Sequence, residues 1–167
     1  MRLTSLCYLE QDGRYLLLLR NKKARDENAG KWIGVGGKFL AGESPEECLL
    51  REVEEETGLR LLEWRFRGLV TFLALDAAGR PEWGEYMHLF TASRWQGRLT
   101  ACDEGELAWV EQERLAGLPM WAGDRLFLAL LRQERPFFSL KLVYQGEELR
   151  QVLLDGRERS PFDPCFS

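Results

Sequence analysis

One stretch, from residue 37 to residue 59, constrains the fold of this chain more than any other. It predicts a loop followed by a helix with clear start and stop signals. Ser44 is a typical N-cap, Pro45 suits the first helical position, and Glu47 completes a capping-box pattern. Gly58 supplies the stop, because glycine readily adopts the left-handed conformation that commonly follows a helix. The chain is therefore expected to fold around this loop and helix.

Three glutamates share one face of the predicted helix. Glu52, Glu55 and Glu56 are spaced i, i+3 and i+4, and like charges at such spacings destabilise an isolated helix. Most acidic runs of this kind are simply solvated surfaces. A divalent cation, however, would turn the repulsion into coordination, and magnesium needs few protein carboxylates because it keeps several waters and shares itself with phosphates. The spacing favours a Mg²⁺ site, with Mn²⁺ as a substitute.

The segment just before this stretch contains three glycines in a strand-like pattern. Gly34, Gly36 and Gly37 interrupt residues 31–38, which indicates close approach of the backbone to a neighbouring group. A β-bulge without a ligand would give the same pattern. Its position directly before the acidic helix favours a carbonyl at Gly36 as a metal ligand, and Lys38 as a counter-charge for a phosphate.

Two charged features have ordinary explanations. Lys23, in a charged loop over residues 20–30, is most simply a solvated surface charge; the functional alternative is a basic rim that meets a triphosphate. His88, the only histidine, lies in an alternating strand pattern and is predicted to be a packed structural residue. A single histidine also excludes a multi-histidine zinc site.

Length, charge and cysteine content limit the class of protein. The 167 residues suit one domain with a sizeable core, predicted over residues 1–155, with a loose tail over residues 156–167. A net charge of −4 without a basic tract argues against binding a nucleic-acid polymer. The four cysteines are scattered, as free thiols of a reducing compartment would be. Without a signal-peptide core or an apolar run of membrane length, the protein is expected to be cytoplasmic and unattached to membranes.

Hydrophobic patterning predicts strands interleaved with two substantial helices. The second helix is predicted from about residue 124 to residue 132, with an apolar stripe facing a core. Strands are predicted over residues 3–9, 15–19, 60–74, 85–92, 107–110, 137–144 and 149–154. This order indicates an α+β sandwich around mixed sheets.

The stretch over residues 37–59 resembles the Nudix box, whose pattern is G-x5-E-x7-R-E-U-x-E-E-x-G-U with U aliphatic. Every specified position is filled: Gly37, Glu43, Arg51, Glu52, Val53, Glu55, Glu56, Gly58 and Leu59. At ordinary residue frequencies a chance match is on the order of one in a billion per start position. The segments KWIGVGGK, DEGELAW and PMWAGDRLF resemble the MutT-type branch of the family, which hydrolyses oxidised purine nucleotides, and the likeness covers residues 3–154.

The resemblance implies a Nudix-type α/β/α sandwich with a mixed β-sheet and two main helices, and it implies roles for single residues. The implied metal ligands are Gly36, through its carbonyl, with Glu52, Glu55, Glu56 and Glu104. The implied catalytic residues are Glu55 and Glu56, with Glu43 and Arg51 as a supporting ion pair. The implied substrate-binding residues are Lys23, Ile33, Gly37, Lys38, Trp121 and Asp124.

Base recognition is the part of the resemblance with departures. Trp121 matches an aromatic that stacks on the purine and Asp124 an acid that bonds the base edge. Without the resemblance they would be a core anchor and an N-cap. Ile33 stands where one subgroup has a base-reading asparagine, and Gly123 where that subgroup has a second acid. The resemblance therefore predicts the hydrolysis reaction more directly than it predicts which base the protein prefers.

The implied activity is Mg²⁺-dependent hydrolysis of a nucleoside triphosphate to monophosphate and pyrophosphate. Removing oxidised purines such as 8-oxo-dGTP from the nucleotide pool would serve DNA repair. Glu55, Glu56 and Glu104 all remain candidates for the general base. The expected partner is a small nucleotide, and the protein a monomer or homodimer. The alternatives are a Nudix hydrolase of a nucleotide sugar or ADP-ribose, and a non-catalytic nucleotide sensor.

Overall fold

The computed structural model describes residues 1–167, in which ten strands and two α-helices form an α+β fold. In chain order the elements are β1 (Arg2–Gln11), β2 (Arg14–Arg20), β3 (Trp32–Ile33), β4 (Val35–Lys38), α1 (Pro45–Thr57), β5 (Arg60–Leu75), β6 (Pro81–Gln96), β7 (Gly105–Glu111), α2 (Ala122–Arg132), β8 (Phe138–Gln145), β9 (Glu148–Leu154) and β10 (Arg157–Arg159). Two short 3-10 helices cover Gln112–Gly117 and Pro164–Phe166.

The chain divides into two compact units, which are named here by their helices. The α1 unit contains Ser5–Arg65 and Phe90–Met120. The α2 unit contains Met1–Thr4, Phe66–Leu89 and Trp121–Ser167. The predicted boundary at residue 155 follows neither unit and stays a prediction.

The α1 unit is built on a hairpin of β1 and β2. Asp12 and Gly13 turn the chain with φ values of 52° and 73°, the positive values that a two-residue Asp-Gly hairpin turn requires. Strand β2 pairs antiparallel with β3 and β7, and β4 pairs with β1. The buried core of this unit consists of Cys7, Leu9, Leu16, Leu18, Val35, Leu49, Val53, Leu59, Leu61, Phe90, Ala92 and Cys102.

Helix α1 begins and ends as its sequence predicts. The Ser44 side chain accepts a hydrogen bond from the Glu47 amide at 3.1 Å, and the Glu47 carboxylate accepts one from the Ser44 amide at 2.7 Å. Gly58 ends the helix with φ of 76°. Leu49 and Val53 are buried, which stabilises the fold by about 1.5–3 kcal/mol each. Packing thus fixes one face of the helix and leaves the glutamate face for chemistry.

The α2 unit contains a parallel strand pairing. Strand β8 pairs parallel with β5 and antiparallel with β9, and β9 pairs antiparallel with β10. Helix α2 buries its predicted apolar stripe, Leu126, Phe127, Leu130 and Leu131. The sheet is therefore mixed, as predicted.

Two sequence predictions in this unit are wrong. The loop between β5 and β6 ends at Arg80 and not at residue 84, because β6 already begins at Pro81. The C-terminal segment is not loose: β10 adds to the sheet and a 3-10 helix follows it. Gln133 fastens this segment by donating hydrogen bonds to the carbonyls of Cys165, at 3.0 Å, and Ser167, at 2.7 Å.

His88 and the cysteines have the structural roles predicted for them. His88 Nδ1 lies 2.9 Å from the Thr4 carbonyl oxygen, and its ring lies 5.7 Å from that of Phe66. All four cysteines are free thiols. Neither α-helix has the length and apolar character needed to cross a membrane.

Candidate active site

Arg51 and Glu43 form the predicted ion pair in the α1 unit. Arg51 Nε donates to one carboxylate oxygen of Glu43 at 2.5 Å, and Nη2 donates to the other at 2.9 Å. These hydrogen bonds lower the pKa of Glu43 to about 2. Because the Leu40 amide also donates to Glu43, at 2.8 Å, the pair fixes the loop against the start of the glutamate face.

The other side of the Arg51 guanidinium contacts the glutamate face itself. Nη1 donates to Glu52 at 2.6 Å and to Glu55 at 3.2 Å, and Nη2 also donates to the Lys38 carbonyl at 3.0 Å. Arg51 is therefore the central counter-charge of an acidic cluster that begins at Glu43. This arrangement explains how the like charges of Glu52 and Glu55 share one helical face.

The two glycines before the loop let the backbone approach that face. A Cβ at Gly37 would lie 2.5 Å from the Glu52 carboxyl carbon, and a Cβ at Gly36 would lie 1.9 Å from the Ser5 carbonyl oxygen. The Gly36 amide donates to a Glu56 carboxylate oxygen at 2.9 Å. The predicted close approach is confirmed, whereas a metal-binding role for the Gly36 carbonyl stays a prediction.

Buried Glu56 and half-buried Glu104 form the other end of this cluster. Burial, together with the charges of Glu104 and Glu52, raises the pKa of Glu56 to about 8, against the opposing hydrogen bond from Gly36. Burial also opposes the ionisation of Glu104, but the hydrogen bond from Lys23 and the charge of Arg20 lower its pKa below the ordinary value. Arg20 Nη1 donates to Glu104 at 2.5 Å.

The α2 unit holds the two residues predicted to read a base. Trp121 immediately precedes helix α2, and its indole meets the ring of Tyr144 edge-on at 5.2 Å. Asp124 lies inside the first turn, so the interpretation of Asp124 as an N-cap is wrong: Trp121 occupies the cap position, and its side chain makes no capping hydrogen bond. Burial and the charge of Glu85 raise the pKa of Asp124 to about 8.

Comparison with known proteins decides the family. The family model for the NUDIX domain matches residues 2–131 of this chain. The chain belongs to the Nudix family. An oxidized purine nucleoside triphosphate hydrolase from Danio rerio is 32% identical over 148 residues, which cover 89% of this chain and 90% of that protein. A CTP pyrophosphohydrolase from Escherichia coli (strain K12) is 29% identical over 132 residues, which cover 77% of this chain and 91% of that protein.

Solved structures agree with this assignment. A crystal structure of a mutator MutT protein from Bacillus halodurans matches this Nudix hydrolase with a TM-score of 0.83 and 26% identity, covering 93% of this chain and 98% of that one. The predicted family, the Nudix-type α+β fold with its mixed sheet and two main helices, and the hydrolase class are confirmed. Nudix hydrolases act on small-molecule nucleotides and generally use divalent metal ions.

The acidic cluster of this Nudix hydrolase fits such an ion in chemistry, but its side chains are not assembled around one. Carboxylate oxygens are the ligands that hard divalent cations prefer, and the pKa of Glu56 is raised first by burial and then by the charges of Glu104 and Glu52. No three histidine, cysteine, aspartate or glutamate side chains converge as a ready metal site. Arg51 instead holds two of the predicted ligands, Glu52 and Glu55.

Three further predicted substrate-binding residues lie in the α1 unit. Lys23 pairs with Glu104, and the side chain of Lys38 is exposed. Ile33 is half-buried in β3 and packs against the core of the α1 unit. Their roles toward a substrate stay predictions.

Sequence reasoning missed two residues that hold the others in place. Arg20 supports Glu104 from β2, and Tyr144 of β8 supports the start of α2 by accepting the Gly123 amide hydrogen bond at 2.7 Å. The alternation of β8 marks Tyr144 as inward-facing, but nothing in the sequence indicates that its hydroxyl meets an amide.

Proposed function

We propose that this Nudix hydrolase is a Mg²⁺-dependent nucleoside triphosphate pyrophosphohydrolase that removes oxidised purine nucleotides such as 8-oxo-dGTP. The reaction gives a nucleoside monophosphate and pyrophosphate. The observation that carries the proposal is the acidic cluster, in which Arg51 joins Glu43 to Glu52 and Glu55 while Glu56 lies buried behind Gly36. The likeness to the Danio rerio oxidised-purine hydrolase supports the substrate class.

The chain's own residues divide the chemical work. When bound, magnesium would neutralise phosphate charge and make a bound water more acidic. Glu52, Glu55, Glu56 and Glu104 would hold it, with the Gly36 carbonyl. The ion pair of Arg51 and Glu43 holds the loop against helix α1. One of the three candidate bases, Glu55, Glu56 or Glu104, takes the proton from water. Lys23 and Lys38 supply positive charge for the phosphates.

Base choice is assigned to the α2 unit. The Trp121 indole would stack on a purine. With a pKa of about 8, Asp124 keeps its proton at neutral pH, and a neutral carboxyl both donates and accepts hydrogen bonds. Such a group suits a guanine-type edge, where a donor stands beside an acceptor. A wrong base would leave buried polar groups without hydrogen-bond partners, and the free-energy cost of those groups discriminates strongly against that base.

The deciding experiment is a substrate panel in magnesium with identification of products. It compares 8-oxo-dGTP, dGTP, dATP, methylated purine triphosphates, CTP, ADP-ribose and a nucleotide sugar. We expect the highest kcat/KM for an oxidised purine triphosphate, with pyrophosphate as a product. Release of orthophosphate, or preference for ADP-ribose or a nucleotide sugar, would refute the proposal. CTP is the second candidate because of the Escherichia coli relative.

The cellular setting is also part of this proposal. Four free thiols suit the reducing cytoplasm. The protein would act there on free nucleotides and not on a nucleic-acid polymer or a membrane, as a monomer or homodimer. Light scattering at working concentration would determine the oligomeric state.

A further inference from the structure

The Tyr144 hydroxyl occupies the place where a side chain at position 123 would stand. The Gly123 amide donates to this hydroxyl at 2.7 Å. A Cβ added at Gly123 would lie 2.7 Å from the same oxygen and 2.4 Å from Cδ1 of Leu142. Glycine at this position is therefore matched to a tyrosine at position 144, and the pair forms one structural feature.

The start of α2 depends on this hydroxyl. The first amides of a helix lack partners within the helix, and the side chain of the N-cap residue, Trp121, bonds none of them here. Tyr144 satisfies the Gly123 amide from β8, a strand whose backbone is paired with β5 on one side and β9 on the other. The hydroxyl thus ties the first turn of α2, which contains Asp124, to a fixed part of the sheet.

The ring of Tyr144 fixes the neighbouring aromatic group. It stacks on the Phe72 ring at 4.9 Å and 26°, and it meets the Trp121 indole edge-on at 5.2 Å. Phe72 stacks in turn on Trp83 at 4.9 Å. Tyr144 therefore contacts both ends of the segment 121–124: the indole through its ring, and the backbone through its hydroxyl.

We propose that Tyr144 is a positioning residue for base selection, whose hydroxyl holds Trp121 and Asp124 in place through the Gly123 amide. The proposal rests on the proposed function, in which these two residues bind the base. One Nudix subgroup has a second acid at the position of Gly123, and in this protein the Tyr144 hydroxyl fills the space that such a side chain would occupy. Selection among bases therefore depends on Asp124 alone.

The direct test is Tyr144→Phe, which keeps the ring and removes the hydroxyl. The Gly123 amide then loses its partner, so the first turn of α2 shifts to find another. We expect the ratio of kcat/KM between the best and worst base of the panel to fall about tenfold, the effect of one lost buried hydrogen bond. KM should rise while kcat changes less than about threefold, because the glutamates of α1 are unaltered. Tyr15→Phe is the matched control, since Tyr15 is also buried and its ring lies edge-on to Tyr8 at 5.5 Å.

A second variant keeps the test decisive if Tyr144→Phe folds poorly. Gly123→Ala pushes the hydroxyl aside and should lower the base ratio similarly. In the Tyr144→Phe background the contact with the hydroxyl is gone and the contact with Leu142 remains, so Gly123→Ala should have a smaller effect than in wild type. Such coupling between the two positions is measured by a double-mutant cycle and would not arise from general destabilisation. Additive effects would overturn the proposal.

The ratio of kcat/KM is taken between the base that the wild-type enzyme prefers most and the base that it prefers least. If that preference is not for an oxidised purine, the proposed substrate fails while the role of Tyr144 is still measured. The role of Tyr144 is overturned if Tyr144→Phe keeps the wild-type ratio and KM, or if it lowers kcat equally for all bases. It is also overturned if Tyr15→Phe has the same effect, or if the wild-type enzyme has no base preference.

Discussion

Replacing Asp124 by asparagine should change how the stability of the protein depends on pH. The fold raises the pKa of Asp124 to about 8, whereas an aspartate in an unfolded chain titrates near about 3.9. Between these values the native protein holds a proton that the unfolded chain has released. The free energy of unfolding therefore falls as pH rises through this window. The contribution is fully present below about pH 4 and is lost above about pH 8.

The size of the effect follows from the same shift. Each pH unit inside the window changes the free energy of unfolding by at most about 1.4 kcal/mol, which gives about 2.7 kcal/mol between pH 5 and pH 7. Asp124 keeps part of its surface in solvent, so we expect about 1–2 kcal/mol. Between pH 5 and pH 7 the free energy of unfolding of the wild type should fall by this amount more than that of Asp124→Asn, because asparagine does not titrate.

Urea unfolding of both proteins at the two pH values, with chelator present, measures the difference. Other titrating groups, Glu56 among them, contribute equally to both proteins and cancel. Glu85→Gln is the matched control, because it removes a charge that raises the pKa of Asp124. Its free energy of unfolding should fall less between the two pH values than that of the wild type. Parallel pH dependences for wild type and Asp124→Asn would refute the raised pKa of this carboxyl.

Three further predictions concern catalysis. Activity should vanish in chelator and return with magnesium or manganese, and Glu55→Gln and Glu56→Gln should each lower kcat about a hundredfold or more in a pyrophosphate-release assay. Full activity in chelator would contradict metal dependence. Arg51→Lys should lower turnover in a folded protein, since an ammonium cannot reproduce the bidentate contact, and unchanged kinetics would make Arg51 an ordinary surface charge. Trp121→Ala should weaken all purine triphosphates together by about 1–3 kcal/mol, measured as kcat/KM; a loss confined to one base would argue against stacking.

Local features of the fold could be predicted from the sequence because their causes are local. The capping box at Ser44, the stop at Gly58 and the turn at Asp12 each depend on residues a few positions apart. The Arg51–Glu43 pair spans eight residues, and only the family pattern indicated it. Its bidentate geometry is now confirmed.

Long-range contacts could not be predicted in the same way. The Gly123–Tyr144 hydrogen bond joins an amide to a hydroxyl 21 positions away, and no sequence pattern encodes such a contact. Asp124 was open to interpretation as a cap because helix boundaries are poorly specified by sequence: α2 begins at Ala122, which moves Asp124 into the first turn. Lys23 reads as surface charge until the fold brings Glu104 to it.

The position of Arg51 has a practical consequence for handling the protein. Its guanidinium already pairs with Glu43, Glu52 and Glu55, so the fold carries an internal counter-ion that offsets part of their negative charge. Dialysis against chelator should consequently give a soluble, folded stock that regains full turnover within the mixing time when magnesium is added back. Such a stock would allow reactions to be started by metal, with enzyme and nucleotide already mixed.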